Sequence, residues 1–193
     1  MEYVLSVKTE LLAPYLTGNG LIEGVEDEIT ELILQHHSFL PRPEAEADPS
    51  YRQVIPYVVI CRGDEIFAAR RLKKGTESRL HGMISLGMGG HIDLVSDGDG
   101  DDVLHRGLMR ELSEEAAIER PGELRLRGII NDASNDVGSV HLGLFYTLLT
   151  DGDVHIVETE KLEGMWIKRD ELPRLSDRME TWSQIVIPAL LQK

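Results

Sequence analysis

Between Leu108 and Ile118 the chain reads Leu-Met-Arg-Glu-Leu-Ser-Glu-Glu-Ala-Ala-Ile, and this segment restricts the fold most. Wound as a helix at about 100° per residue, it gathers Glu111, Glu114 and Glu115 into one arc of roughly 100°. Leu108, Met109, Leu112 and Ala116 occupy the adjoining arc. One stripe is acidic and its neighbour apolar, so the helix has a face to bury and a face to use. Three anions side by side repel one another. Clustered carboxylate oxygens are what Mg²⁺ or Mn²⁺ requires, with waters and substrate phosphates completing the shell. A divalent cation is the simplest resolution of the repulsion.

The rest of the chain predicts where such a helix sits. Tyr3–Val7 reads as a strand, and about Val25 to His37 as a helix with Ile29, Leu32 and Ile33 on one side. Pro41, Pro43 and Pro49 punctuate an acidic linker. The β-branched run Gln53–Cys61, the turn Arg62-Gly63-Asp64 and the run Glu65–Arg70 predict a hairpin, with Pro56 near a sheet edge or bulge. A glycine-rich stretch from His81 to Asp93 leads through an Asp/Gly-rich loop into the acidic helix, predicted over about Asp102 to Ala117 and closed by Pro121-Gly122. Strands are expected at Leu124–Ile130, Val140–Leu149 and Gly164–Ile167, and a last helix over about Arg178–Leu191, interrupted near Pro188. Strands on both sides of a central helix, without regular βαβ alternation, predict an α/β sandwich around a mixed sheet. The expected organisation is an N-terminal extension, residues 1–50, and a main domain, residues 51–193.

Composition bounds the function. The 193 residues suffice for a core, and 41% hydrophobic with 28% charged residues is ordinary for a globular chain. A net charge of −14 argues against a polymeric nucleic acid, which requires a basic footprint. A mononucleotide remains compatible, held by a local basic pocket and a metal. A single cysteine, Cys61, excludes an internal disulfide, and no apolar run approaches the roughly 20 residues of a membrane span. The expected location is the cytoplasm, without a membrane partner.

Residues Arg110 to Ile118 resemble the signature helix of the Nudix hydrolase superfamily, Arg-Glu-apolar-x-Glu-Glu-x-Gly-apolar. Two positions depart from it. Ala117 stands where Gly is usual, and Asp102 stands where the family carries a Glu separated by seven residues from the Arg-Glu pair. The opening Gly of the motif matches Gly90, which leaves eleven residues before Asp102 instead of five. The loop therefore carries a six-residue insertion. The resemblance covers roughly Gln53 to Leu172. Within it, Gln53-Val54-Ile55-Pro56-Tyr57, Arg79-Leu80-His81-Gly82 and Gly87-Met88-Gly89-Gly90-His91-Ile92 are similar to a bacterial subgroup of predicted MutT-type phosphoesterases.

The resemblance implies a Nudix-like α/β/α sandwich around a mixed β-sheet, and hydrolysis of a diphosphate linkage in a small nucleoside-diphosphate-type substrate. It implies Mg²⁺ or Mn²⁺ held by Glu111, Glu114 and Glu115, with Glu160 as the distal ligand, Glu163 competing for that place, and a carbonyl of the glycine-rich loop, assigned to Gly89, as a further ligand. The general base stays open between Glu115 and Glu160. Arg110 reads as an orienter of these carboxylates, because its planar fork can hold one bidentately from the neighbouring turn. Gly107, one turn before Glu111, permits close approach of the glycine-rich loop. Arg70 and Arg71, at the end of a strand, are candidates for substrate phosphate, set against a reading as solvated strand-end charges.

Other features read as structural. Asp97-Gly98-Asp99-Gly100-Asp101 imitates a calcium loop but lacks Gly at position six and Glu at position twelve, so a solvated, mobile insertion is expected. His91 and His141 lack zinc-site spacing and read as hydrogen-bonded. Cys61 reads as a buried inert thiol and Trp166 and Trp182 as core residues. Val140 to Tyr146 alternates as a half-buried strand does. Two other functions compete: a catalytically idle ligand-binding or regulatory module of the same fold, and a prenyl diphosphate isomerase. The isomerase requires a reactive Cys in a Cys-x-His-Pro-like setting, which the sequence lacks. The extension, with its Leu32/Ile33 stripe, is a candidate lid, homodimer interface or packing element.

Overall fold

The computed structural model describes residues 1–72 and 81–192. Arg79 and Leu80, part of the resemblance above, lie outside the described residues. The chain opens with β1 (Tyr3–Lys8), α1 (Thr9–Leu12), β2 (Gly20–Ile22), α2 (Glu26–His36), β3 (Ser38–Pro41) and α3 (Arg42–Ala45). There follow β4 (Tyr51–Arg62), β5 (Glu65–Arg71), β6 (Ile84–Ser85), β7 (Gly87–Met88), α4 (Leu94–Asp97), α5 (Val103–Glu115) and β8 (Ala116–Ile118). The remainder is β9 (Pro121–Asn131), α6 (Asp136–Ser139), β10 (His141–Thr150), β11 (Val154–Ile156), β12 (Leu162–Lys168), α7 (Leu172–Leu175) and α8 (Thr181–Leu191). The class is mixed α/β, as expected. Contacts divide the chain into two compact units, one comprising Met1–Tyr57, Gly89–Glu111 and Leu126–Phe145, the other Val58–Met88, Leu112–Arg125 and Tyr146–Lys193.

In the first unit β1 pairs antiparallel with β3 and, at Ser6↔Gln53, with β4. The Gln53 amide donates to the Val140 carbonyl at 2.8 Å, joining β4 to the segment that opens β10. Strand β2 pairs antiparallel with β9, Leu21 opposite Ile130. Strand β10 lies between β4 and β9, so His141–Phe145 is not the half-buried strand its alternation predicts: Leu142, Leu144 and Phe145 are fully buried, and Gly143 is buried between them. A strand flanked by two others and covered on both faces reads as a continuous buried run. Helix α2 buries Ile29 and Ile33, one turn apart, beside the core of Val4, Leu5 and Val7.

In the second unit β5 pairs along its whole length with β12, Phe67 opposite Trp166 and Arg70 opposite Glu163. Its other side meets β4 at Cys61↔Ile66 and β6 at Ala69↔Ser85. The expected hairpin is present, and Gly63 at φ 55° supplies its left-handed residue. Cys61 is buried, as expected, and Trp166 packs edge-on to Phe67 with the Arg62 guanidinium 4.0 Å over its ring. Helix α8 buries Val186, Ile187, Ala189 and Leu190 and runs through Pro188 without the expected interruption.

Helix α5 stops at Glu115, two residues before the predicted end. Ala116–Ile118 instead form β8, paired antiparallel with β11, Ala117 opposite His155. A helix-compatible Ala-Ala sequence yields here to a pairing partner almost forty residues away. Gly107 fulfils its expected role: a Cβ there would lie 2.7 Å from Ile92 Cγ1. Helix propensity alone favours Ala over Gly by about 1 kcal/mol, whereas forcing an atom into a filled site costs about 1–3 kcal/mol. Gly107→Ala is therefore expected to lower the urea midpoint, and adding Ile92→Val to recover part of the loss; a midpoint raised by the single change would contradict this packing.

Candidate functional site

The first unit builds its site around the Arg110 guanidinium on α5. Nε donates to Asp97 Oδ1 and Nη2 to Asp97 Oδ2, both at 2.8 Å, a bidentate fork. Nη1 donates to Glu111 Oε1 at 2.7 Å, and Nη2 also to the His91 carbonyl at 2.8 Å. One cation thus ties the half-buried Glu111 carboxylate to the glycine-rich loop and to the insertion. Gly90 completes the fit, because a Cβ at that position would run into the Glu111 carboxylate. Gly89, at φ 149°, lies against the Pro56 carbonyl, where a side chain would clash.

Asp97 is the residue sequence reasoning missed. It was expected to lie in a solvated, mobile insertion, yet its side chain is 1% exposed. The insertion folds into the short helix α4, whose Asp93 side chain accepts from the Ser96 amide, while Asp97 accepts from the Asp93 amide at 2.8 Å. The rest of the loop is tethered as well: Asp99 meets His37 Nε2 at 2.8 Å, and Arg106 donates to the Asp97 and Asp99 carbonyls. The signal was present in Asp93-Leu94-Val95-Ser96, an N-cap followed by one turn. Asp102 is exposed and pairs with Arg106 at the start of α5.

His91 and His141 come together, Nε2 to Nε2 at 3.3 Å, with His141 Nδ1 2.6 Å from the Val137 carbonyl. That carbonyl assigns the His141 proton to Nδ1, so its Nε2 accepts from His91. Burial, helped by Arg42 and His141, pushes His91 down to about 3, and burial also lowers His141. Both rings have the hydrogen-bonded character expected of them.

In the second unit, Glu114 is exposed and Glu115 half-buried at the end of α5, and the Glu115 carbonyl accepts from the Val157 amide at 2.9 Å. Glu160 is exposed in the turn between β11 and β12. Arg70 and Arg71 are partly exposed and paired: Arg70 Nε donates to Glu163 at 3.0 Å, and Arg71 Nε donates to Glu180 at 2.5 Å. Among the described residues, no group of three or more His, Cys, Asp or Glu side chains is drawn together as a metal cage. Among the same residues no helix is long and apolar enough to cross a membrane.

No protein-family model matches the chain. Protein YmaB of Bacillus subtilis (strain 168) is 41% identical over 170 residues, spanning 84% of this chain and 82% of its own. The crystal structure of Tm1382, assigned by inference to the Nudix hydrolases, is 33% identical, covers 98% of both chains and superposes with a TM-score of 0.86. A Francisella tularensis bifunctional NMN adenylyltransferase/ADP ribose pyrophosphatase, solved with AMP and a manganese ion, covers 87% of this chain and 47% of its own. Its TM-score is 0.54 at 16% identity, a likeness of fold alone. The class these likenesses define is the Nudix fold carrying an Arg-Glu helix. The chain belongs to the Nudix hydrolase superfamily.

Two measurements test the site's architecture. Asp97→Asn leaves the Arg110 guanidinium without its buried counter-charge and is expected to cost about 3 kcal/mol, whereas Asp101→Asn, on the surface, changes little; equal effects would refute the pairing. Between pH 6.5 and about 3 the unfolded chain protonates His91 and the folded chain does not. Stability therefore falls as pH drops through that window, by at most about 1.4 kcal/mol per pH unit from this group. His91→Gln is expected to flatten this part of the profile in urea denaturation.

Proposed function

We propose that this chain is a divalent-metal-dependent hydrolase that cleaves the diphosphate linkage of a small nucleoside-diphosphate-type substrate. The observation that carries the reading is the Glu111 carboxylate, held by Arg110 on one side and fitted against the Cβ-less Gly90 on the other. Such a cradle presets an oxygen ligand before any cation arrives. Mg²⁺ keeps several waters and takes one or two carboxylates with substrate phosphates, so a closed protein cage is not required. The fit is with a hard, hydrated cation. Glu111, Glu114, Glu115 and Glu160, with the Gly89 carbonyl, are the residues proposed to hold it.

When bound, the cation neutralises phosphate charge and makes a water more nucleophilic at neutral pH. The chain's own groups do the rest. Arg110 orients Glu111 and does not contact substrate. Arg70 and Arg71 are proposed to meet phosphate oxygens, each sharing its guanidinium with Glu163 or Glu180. Glu115 or Glu160 takes the proton from the attacking water. The AMP and manganese of the Francisella protein are consistent with this chemistry on the same fold.

The test is hydrolysis of nucleotide sugars, dinucleoside polyphosphates, ADP-ribose and nucleoside triphosphates, read as the appearance of the two phosphorylated products, with Mg²⁺, with Mn²⁺ and with chelator. Turnover of at least one compound is expected to need the metal. Glu111→Gln should reduce kcat by about 10²-fold or more, the scale of removing a group that stabilises transition-state charge. Arg110→Lys should also lose activity, since an ammonium cannot reproduce the fork. Turnover of no compound, or full activity in Glu111→Gln, would sink the reading.

A further inference from the structure

None of the chemistry proposed above uses residues 1–50, yet they meet the loop that precedes α5 at three points. The Leu5 amide of β1 donates to the Ile92 carbonyl at 2.9 Å, and Val4 bridges Asp93 in antiparallel register. The Tyr3 amide donates to Asp93 Oδ1 at 3.1 Å. Beyond α4, His37 at the end of α2 places Nε2 2.8 Å from Asp99 Oδ1, with Nδ1 3.0 Å from the Ile33 carbonyl of its own helix. The His37 side chain is only 10% exposed, so α2 offers a fixed point to a loop whose Asp99 faces solvent.

These contacts lead to Glu111. Ile92 is fully buried and fills the space that Gly107 leaves on α5, one turn before Glu111. Asp93 builds α4: its carboxylate accepts from the Ser96 amide, its own amide donates to Asp97 Oδ2, and its carbonyl accepts from the Asp97 amide. Asp97 in turn holds Arg110, and Arg110 holds Glu111. A continuous series of hydrogen bonds, all within the first unit, therefore runs from β1 to the Glu111 carboxylate.

The loop needs such support. From Asp93 to Asp102 it holds five aspartates, which repel one another and favour water. Seating Asp97 against Arg110 removes a carboxylate from solvent and fixes the backbone around it, at a cost in conformational entropy. Tying down Asp93 on one side of Asp97 and Asp99 on the other lowers the cost that remains, which is preorganisation in the ordinary sense.

From this juxtaposition we infer that the N-terminal extension is a brace for the Glu111 carboxylate, in which Asp93 and Asp99 are positioning residues held by Tyr3 and His37. The inference rests on the proposed role of Glu111 as a metal ligand and deepens it, by naming what presets that ligand. An extension that only packed against the domain would add stability without governing how firmly Arg110 is held.

The test uses the full chain. Asp93→Ser keeps a cap on α4 but offers one oxygen in place of two, so the Tyr3 amide loses its acceptor. Asp99→Ala removes the partner of His37. Ile29→Val is the control, a loss of packing in the core of α2 outside the hydrogen-bonded series. In the double variant Asp93→Ser/Asp99→Ala, Mn²⁺ affinity measured by calorimetry is expected to weaken about tenfold, the scale of disturbing a group that supports a metal ligand. Exchange of the Arg110 Nε proton, followed by NMR without metal, should quicken about tenfold as the loop opens more often. Ile29→Val should lower the urea midpoint and leave both readings alone. Should the double variant fail to fold, Asp99→Ala alone is expected to quicken the exchange about threefold, the scale of an exposed ion pair. Unchanged exchange in these loop variants, Mn²⁺ affinity unchanged in the double variant, or equal changes in Ile29→Val would overturn the inference. If the unaltered chain binds no Mn²⁺, the metal reading of Glu111 fails, whereas faster Arg110 exchange in the double variant still supports the brace.

Discussion

One guanidinium organises the first unit's site. Arg110 directs its donors at the Asp97 carboxylate, the Glu111 carboxylate and the main chain at His91, and so ties a helix to two loops. A buried carboxylate such as Asp97 is tolerable only with a counter-charge and hydrogen bonds, and Arg110 with the Asp93 amide supplies both. A buried ion pair contributes little net stability, but it selects one arrangement, because a misplaced loop would strand a charge. The single approach that satisfies Arg110 is also the one that seats Gly90 on Glu111.

The helix itself was legible because its apolar and acidic arcs have a local cause, the 3.6-residue period. Its end was not. Ala116, Ala117 and Ile118 carry no stop signal, and what takes them out of the helix is the backbone of Val154–Ile156. Asp97 failed for the same reason. An aspartate amid Asp and Gly reads as solvated, and its burial is decided by an arginine thirteen residues later. The pairing of His91 with His141 spans fifty residues and leaves no trace in spacing. Short-range chemistry was readable and long-range partnership was not.

Both departures from the family pattern have local explanations. Ala117 lies in the extended strand β8 and needs no left-handed backbone, so nothing at that position demands glycine. Asp102 sits on the solvent side at the opening of α5, where it pairs with Arg106 one turn on, and its carbonyl accepts the Arg106 amide. The structure gives the acid opposite Arg110 to Asp97 instead, five residues earlier and inside the loop that sequence counting treats as an insertion.

On the proposed reading the chain must attract an anion although its own net charge is −14. Beyond the Debye length, about 8 Å at physiological ionic strength, that charge is largely screened, so the balance is decided by groups near the phosphate. There the cations are already committed. Arg70 is opposed by Glu163 and Arg71 by Glu180. A phosphate competing with these carboxylates gains only the difference between two ion pairs, a small quantity for partly exposed charges. Strong retention of a diphosphate by the arginines alone is therefore not built into this unit, which is consistent with a site whose affinity comes from a divalent cation.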